Sequence, residues 1–174
     1  MYKKFFILGL AVLVLALPVR VLAVEAKTAT GSANITGASC VRTQAKLIKS
    51  SDRIKANRSL RAAFWKARME RWAAIVKTAK EWGLNTTKFE ADMMTAEEKY
   101  NKALESVNTL VGKIDTLRAS DCSQKEYKTN LVEMRNYHRN TVMNAFENFR
   151  VYLRDTVKVD LSTLLKEAKA VNKK

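Results

Sequence analysis

TKFEADMMTAEEKYNKALESVNTLVGKIDTLR, residues 87–118, carries the clearest structural signal of the chain. Its apolar side chains recur at alternating steps of four and three residues over about four heptads, which is the pattern of a helix packed lengthwise against another helix. The segment therefore predicts a long amphipathic helix with the following buried seam: Phe89, Met93, Ala96, Tyr100, Ala103, Val107, Leu110, Ile114 and Leu117.

The segment before this seam predicts a first helix over about 40–82. Ser39 is a candidate N-cap, and Gly83 is a candidate C′ residue because a left-handed backbone at glycine commonly ends a helix. The connection ends at Thr87, which together with Glu90 has the form of a capping box for the next helix. The apolar stripe of the first helix is Leu47, Ile54, Trp65, Met69, Trp72, Val76 and Ala79.

Two features interrupt that stripe. Ser50 and Ser51 predict a kink, because serine side chains compete for the hydrogen bonds of the helix backbone. Arg58 and Arg61 occupy stripe positions just before Trp65. Either they meet acidic partners across the seam, or their aliphatic stems pack while their guanidinium groups reach water.

The chain after residue 120 predicts a third helix over about 122–172, capped by Asp121 or Ser123. With the turn centred near residue 120, Phe89 lies beside about residue 151, so the chain beyond Tyr152 overhangs by about 30 Å or bends back. Asp160 could then cap a separate short amphipathic segment. The apolar line of the third helix is Tyr127, Leu131, Met134, His138, Val142, Ala145, Phe149, Leu153 and Val157.

Composition supports an all-α fold. The chain has 174 residues with five glycines and one proline, whereas β architectures use more of both residues in their turns. Three helices joined by short turns predict an elongated up-down-up three-helix bundle with coiled-coil-like packing and a long third helix. We assign residues 1–26 to a signal peptide, 27–38 to a flexible linker and 39–174 to the helical bundle domain.

The N-terminus has the features of a secretory signal peptide. Lys3 and Lys4 precede an apolar run over residues 5–17, and small residues offer cleavage after Ala23 or Ala26. The alternative is an uncleaved membrane anchor, but the run is shorter than the roughly 20 residues that span a bilayer, and Arg20 would lie deep in it. We therefore expect an exported protein in the cell envelope, a periplasm-like space or the extracellular medium.

Export gives the two cysteines of the chain a natural role. Cys40 opens the first helix and Cys122 the third, and in an up-down-up bundle these two N-termini lie at the same end. We therefore expect a Cys40–Cys122 disulfide, with a reactive thiol as the alternative. The register is a difficulty, since a turn near residue 85 puts Leu47, not Cys40, level with Cys122. A kink or an offset between the helices has to absorb the difference.

Catalytic and metal-binding patterns are missing from the sequence. His138 is the one histidine, and with two paired cysteines it cannot make a usual zinc site. No Gly-rich phosphate loop, nucleophile elbow or Ser-x-x-Lys motif occurs. We expect His138 to be partly buried and hydrogen-bonded, with pH sensing as the alternative. The sequence therefore predicts a non-enzyme without metal or cofactor.

Charge is the feature that points to a function. The formal net charge is +15, and residues 42–80 hold 12 basic residues against two acidic ones. Arg42, Lys46, Lys49 and Arg53 step by four, three and four, which places them on one ridge of the first helix. We expect this ridge to bind a polyanion: an acidic envelope polymer, an anionic surface or an acidic protein, with nucleic acid bound only non-specifically. The alternative is a solvated, self-repelling face.

A second basic region lies at the end of the first helix. Trp82 follows Lys77 and Lys80, and tryptophan interleaved with basic residues suits contact with an anionic membrane surface. Trp65 and Trp72 are one heptad apart on the apolar stripe, so we expect both to pack in the core.

The chain resembles uncharacterised exported helical proteins of candidate-phylum (patescibacterial) bacteria. The resemblance rests on the signal peptide, the heptad helix and two cysteine-bearing helix starts, SCVRTQAKLIKSSDRI (39–54) and DCSQKEYKTNLVEMR (121–135). It implies a bacterial envelope or extracellular setting and a three-helix fold with paired cysteines, and it implies no established activity.

These observations predict an exported, non-enzymatic structural or interaction protein whose basic first helix contacts acidic polymers, surfaces or proteins. One alternative is an ATP-independent envelope chaperone that holds unfolded clients between its helices. The other is a peripheral protein that binds anionic membranes.

Overall fold

The computed structural model describes residues 37–172, so the predicted signal peptide and most of the predicted linker lie outside the described residues. The described chain forms three helices: α1 (Gly37–Glu81), α2 (Thr87–Ala119) and α3 (residues 125–171). Helix α3 consists of Lys125–Tyr137, Met143–Tyr152 and Lys158–Val171, joined by π-helical turns at His138–Val142 and Leu153–Val157. The predicted all-α three-helix bundle with a long third helix is confirmed.

Helix α2 is the central element and packs against both of the other helices. All nine residues of its predicted seam are buried, as is Ser106, whose hydroxyl donates to the Ala103 carbonyl at 2.7 Å. Helices α1 and α3 meet through long side chains such as those of Trp65 and Phe149, whose ring centroids are 5.1 Å apart. The buried seam of α2 is therefore the surface against which the other two helices pack.

The core divides into two clusters along α2. One surrounds the disulfide and is mainly aliphatic. The other, which we call the aromatic cluster, contains four buried aromatic side chains, and the rings of Trp65 and Tyr100 lie 5.0 Å apart in it. Arg58 and Arg61 lie on α1 between the two clusters and are exposed, and Arg61 lies 5.2 Å from the ring centroid of Phe146. Neither arginine pairs with a carboxylate of the described residues. The acidic partners considered for the two arginines are therefore not formed in the described part of the chain, and the guanidinium of Arg61 lies over the ring of Phe146 instead.

Helix α1 ends as predicted but begins earlier. Gly83 has φ +73°, and its N–H donates to the Lys80 carbonyl at 2.9 Å while the Leu84 N–H donates to the Ala79 carbonyl at 3.0 Å. This pair of bonds is the Schellman arrangement, which satisfies carbonyl groups left open at a helix end. The helix starts two residues before Ser39, so the predicted N-cap at Ser39 is wrong.

The start of α2 differs from its prediction by one residue. Thr86, not Thr87, is the N-cap, and the Thr86 hydroxyl donates to the Glu90 carboxylate at 3.1 Å. The Thr87 N–H donates instead to the Asn85 side-chain oxygen at 3.0 Å. The predicted capping box at Thr87 is therefore wrong, because Asn85 supplies the acceptor for this amide.

Helix α1 continues without a break through Ser50 and Ser51, and a kink at these serines stays a prediction. Ser51 is fully buried, and its hydroxyl donates to the Asp115 carboxylate of α2 at 3.4 Å rather than to its own helix backbone. The Gln44 side chain donates to the Ser120 carbonyl at 3.1 Å. Gln44 is thus level with residue 120, about one helical turn away from the predicted alignment. This offset brings the start of α1 level with the connection that carries Cys122.

Cys40 and Cys122 form the predicted disulfide, with their Cα atoms 5.7 Å apart and 82 positions between them in sequence. Cys122 is buried in the aliphatic cluster, and Cys40 packs against that cluster. Stable disulfides form in oxidising compartments and are rare in the cytosol, so the bond is consistent with an extracytoplasmic location.

The connection between α2 and α3 is longer than predicted. The Asp121 carboxylate accepts a hydrogen bond from the Ser123 N–H at 2.9 Å, while Gln124 is the N-cap and Lys125 the first residue of α3. Neither Asp121 nor Ser123 caps the helix, and both predicted caps are wrong. Helix α3 therefore starts three residues after its predicted first residue, 122.

The later start shifts α3 along α2. Lys88 pairs with Asp160, whereas the predicted alignment placed about residue 151 beside Phe89. The chain after Tyr152 still packs on α2, and Leu164 is buried in the aromatic cluster. The predicted overhang beyond Tyr152 is therefore wrong, and Asp160 does not begin a separate segment.

Two π-helical turns keep the apolar line of α3 facing its partners. Apart from Leu131, its buried residues recur at intervals of seven, eight, seven, eight and seven positions: Tyr127, Met134, Val142, Phe149, Val157 and Leu164. Seven residues make two turns of a supercoiled helix, and a π turn accommodates one extra residue. Each interval of eight contains one of the two π turns. His138 lies in the first π turn with much of its side chain open to solvent, and partial burial, as predicted, lowers the pKa of its imidazole.

Candidate polyanion-binding face

The predicted basic ridge forms on the side of α1 that faces solvent. Arg42, Lys46, Lys49 and Arg53 are all exposed. At 1.5 Å per residue they extend over about 16 Å, or one cation every 5–6 Å. Within residues 37–172, no carboxylate lies within 4.0 Å of any of the four charged groups. The ridge is a line of uncompensated positive charge.

Other cations of α1 are engaged with the bundle. Lys55 pairs with Asp115 at 3.4 Å, and Lys80 pairs with Glu90 at 2.5 Å. The bond from Lys80 holds the pKa of the Glu90 carboxyl below its ordinary value. These two pairs join α1 to α2, so they belong to the fold and leave the ridge free for other contacts.

Positive charge is crowded in the second half of α1. Arg68 is half-buried, and its guanidinium lies 5.9 Å from the ring centroid of Trp72. Burial lowers the pKa of Arg68, and the charge of nearby Arg71 lowers it further. Like charges held on one rigid helix raise the local positive potential, which attracts a polyanion more strongly than scattered charges do.

The predicted membrane-contact residues lie at the other end of α1. Trp82 is half-buried, Lys80 is bound to Glu90, and Lys77 is exposed. Trp82 lies 29 residues beyond Arg53, or about 44 Å along the helix, so the structure does not bring this group together with the ridge. Contact of Trp82 and its lysines with a membrane stays a prediction.

An apolar groove of about 420 Å³ lies between α1 and α2 near their turn. Methionine side chains adapt to irregular apolar partners, and three of them line the groove. One residue of the sequence indicates this groove: Met94 is apolar but lies beside the buried seam of α2 rather than in it. The lining residues are Met69, Ala73, Val76, Lys77, Lys80, Glu90, Met93 and Met94.

A pair of carboxyl groups joins α2 to the C-terminal part of α3. Lys88 pairs with Asp160 and lies 3.7 Å from Asp92, while the Tyr152 hydroxyl donates to Asp92 at 2.9 Å. Burial raises the pKa of Asp92, and Asp160 raises it further; hydrogen bonding to Asp92 and then to Lys88 lowers the pKa of Asp160. Asp92 therefore holds a proton more readily than Asp160 does. This cluster could not be predicted from the sequence because the predicted register kept Asp160 away from α2.

No group of three or more metal-ligating side chains forms among residues 37–172. In the same part of the chain, no helix combines the length and the apolar character of a bilayer-spanning segment. The fold and the charged face together define a disulfide-linked three-helix bundle with a basic outer ridge. No protein-family model, curated protein or solved structure matches the chain. The resemblance to exported patescibacterial proteins therefore stays a prediction.

Proposed function

We propose that this chain is an exported, non-enzymatic interaction protein whose basic ridge binds acidic polymers or anionic surfaces. The observation that carries the proposal is the ridge itself: Arg42, Lys46, Lys49 and Arg53 are exposed, aligned and without a carboxylate partner in residues 37–172. Helix α2, in contrast, has five basic and six acidic residues over 87–118 and is nearly neutral. The surplus of positive charge is thus concentrated on one element.

The fold supports this role by holding the ridge rigid. The disulfide fixes the start of α1 at Cys40, and Trp65 anchors the same helix in the aromatic cluster. The ridge lies between these two fixed points, so little conformational entropy is lost when a polyanion binds to it. Each contact also releases counterions from the polymer, which makes the affinity fall as salt rises.

The test compares two variants of equal net charge. The ridge variant replaces Arg42, Lys46, Lys49 and Arg53 by glutamine. The control variant replaces four exposed basic residues of α3 that form no ion pair with the described residues: Lys125, Arg139, Lys166 and Lys169.

Mixed-sequence duplex DNA serves as a defined polyanion, and the dissociation constant is measured over a series of salt concentrations. Each lost phosphate contact lowers the slope of log affinity against log salt by about 0.9. With four contacts removed, we expect the slope of the ridge variant to fall by about 3.6 and the control variant to behave like the wild type. Equal slopes and affinities for the two variants would show that net charge, not the ridge, determines binding.

Export belongs to the same proposal. The signal-peptide features of residues 1–26 and the disulfide support it. The intact mass of the protein recovered from an exporting host should correspond to a chain that begins after Ala23 or Ala26. A full-length mass together with free thiols would contradict export.

Holding of unfolded clients is a second candidate function, favoured by the methionine-lined groove between α1 and α2. Ala73→Glu with Met94→Glu places charge at two exposed positions of this groove, so the fold should be unaffected. If the groove holds clients, this variant loses suppression of client aggregation while the ridge variant keeps it. Unchanged suppression would remove the groove from consideration.

A further inference from the structure

The outer face of α1 carries two large apolar side chains in line with the basic ridge. Leu60 and Phe64 are 59% and 61% exposed. At about 100° per residue they lie within about 40° of Arg53 and Arg71 around the helix axis. Trp65, the next residue, lies about 100° further around the helix axis and is buried. We call Leu60 and Phe64 the outer pair.

The outer pair protrudes from a convex surface. Asn57, Ala56 and Ala63, which lie on the exposed part of the helix beside the pair, have shorter side chains. Helices α2 and α3 contact α1 on a different side, at Trp65, about 100° around the axis from Phe64. A folded protein would have to offer a matching groove to cover such a pair, whereas the deformable headgroup region of a bilayer accepts protruding apolar side chains directly.

Charge argues against a second copy of the chain as the occupant. Antiparallel pairing centred on Leu60 and Phe64 would place Arg53 opposite Arg71, and parallel pairing would place one ridge beside the other. Like charges facing one another across an interface are unfavourable. The face is therefore complementary to a negative surface that has an apolar layer just beneath it.

We propose that the outer face of α1 binds the surface of an anionic phospholipid bilayer. The ridge and Arg71 lie over the phosphate groups, and the outer pair inserts at the boundary between headgroups and acyl chains. The segment from 42 to 71 is about 44 Å of continuous helix, so it lies parallel to the bilayer and does not cross it. This inference rests on the proposed function, because it uses the same ridge, and it adds the lipid as the specific partner.

The experiment measures co-sedimentation with vesicles of phosphatidylcholine alone and with vesicles that contain equal parts of phosphatidylglycerol. The outer-pair variant is Leu60→Ser with Phe64→Ser. The matched control is Val132→Ser with Val159→Ser, since these α3 residues are 52% and 53% exposed. All proteins are full chains prepared in the same way, and each is also measured with the DNA probe.

We expect the wild type and the control variant to bind anionic vesicles and to leave phosphatidylcholine vesicles unbound. The outer-pair variant should lose at least about tenfold in partitioning into anionic vesicles, because it removes the inserted apolar surface. Its affinity for DNA should be unchanged, because the ridge is intact. Phe64→Trp should bind anionic vesicles at least as well as the wild type, since tryptophan favours the bilayer interface.

Three results would overturn the inference. Wild-type partitioning of the outer-pair variant would show that the pair does not insert, and an equal loss of DNA affinity would show that the pair serves polymers in general. A dimer of the wild type that the outer-pair substitutions dissociate would identify the face as a contact between two copies. Failure of the ridge variant to lose DNA binding would instead refute the proposed function. The DNA assay therefore tests the proposed function, and the vesicle assay tests the inference about lipid.

Discussion

Loss of the disulfide should destabilise the bundle by about 4 kcal/mol. Cys40→Ser with Cys122→Ser opens a link between residues 82 positions apart. Closure of a loop of this length restricts the unfolded chain by about 4 kcal/mol in the chain-entropy account. For a domain of about 150 residues, each kcal/mol lowers the melting temperature by about 2–4 °C, so we expect a fall of about 8–16 °C.

Unfolding in guanidinium chloride measures this effect on the oxidised protein, the reduced protein and the double serine variant. Cys122 is only 2% exposed, so the Cys122→Ser substitution places a hydroxyl in the aliphatic cluster, and the reduced wild type separates this effect from loss of the link. The slope against denaturant shows whether the unfolded state has expanded. Free energies of unfolding that agree within about 1 kcal/mol for the oxidised and reduced proteins would refute the reasoning.

Three more changes test the packing and the charges of the bundle. Trp65→Ala should lower the free energy of unfolding by about 3–5 kcal/mol, whereas Phe64→Ala, at the adjacent exposed position, should change it by no more than about 0.5 kcal/mol; similar losses would contradict the assigned core. Deletion of Asn140 removes the extra residue of the first π turn and should be tolerated. Deletion of Asn148, which is also exposed, rotates the rest of α3 by about 100° and should lower the denaturant midpoint several times more. Burial raises the pKa of Asp92, so its protonated carboxyl contributes stability below the ordinary carboxyl pKa, and this contribution is lost as pH rises through the raised pKa. The pKa of Asp160 is lowered, so its ionised carboxyl contributes stability above the ordinary carboxyl pKa, and this contribution is lost as pH falls through the lowered pKa. Asp92→Asn should therefore gain stability relative to the wild type between about pH 4 and 7, measured by the denaturant midpoint, and a gain that is independent of pH would contradict the assignment.

Local and periodic features could be predicted from the sequence. The seam of α2 was predictable because a strict heptad repeat fixes one face of a helix whatever its partner is. Gly83 was predictable as a helix end because its left-handed backbone needs no information from the rest of the fold. The disulfide followed from the predicted export together with the topology, since Cys40 and Cys122 lie near the same end of an up-down-up bundle. The ridge residues share a face for the same local reason.

Features that depend on alignment between helices could not be predicted. The hydrogen bond of Asp121 to Ser123 delays the start of α3, and this delay determines which residues of α3 meet α2. A constant helical period places His138 on the apolar line of α3, whereas the residue begins the π turn at His138–Val142 and is not part of the core. The hydrogen bond of Ser51 could not be predicted because its acceptor, Asp115, belongs to another helix. The exposure of the outer pair likewise depends on where α2 and α3 lie.

The extent of acetylation at each surface lysine, measured with and without bound polyanion, shows which lysines the polyanion covers. Lys46 and Lys49 lie in the ridge, whereas Lys166 and Lys169 are exposed near the end of α3. If the ridge is the binding face, saturating DNA protects Lys46 and Lys49 from modification and leaves Lys166 and Lys169 unchanged. Equal modification of all four lysines at saturation, or protection confined to α3, would contradict the proposal that α1 presents the binding face.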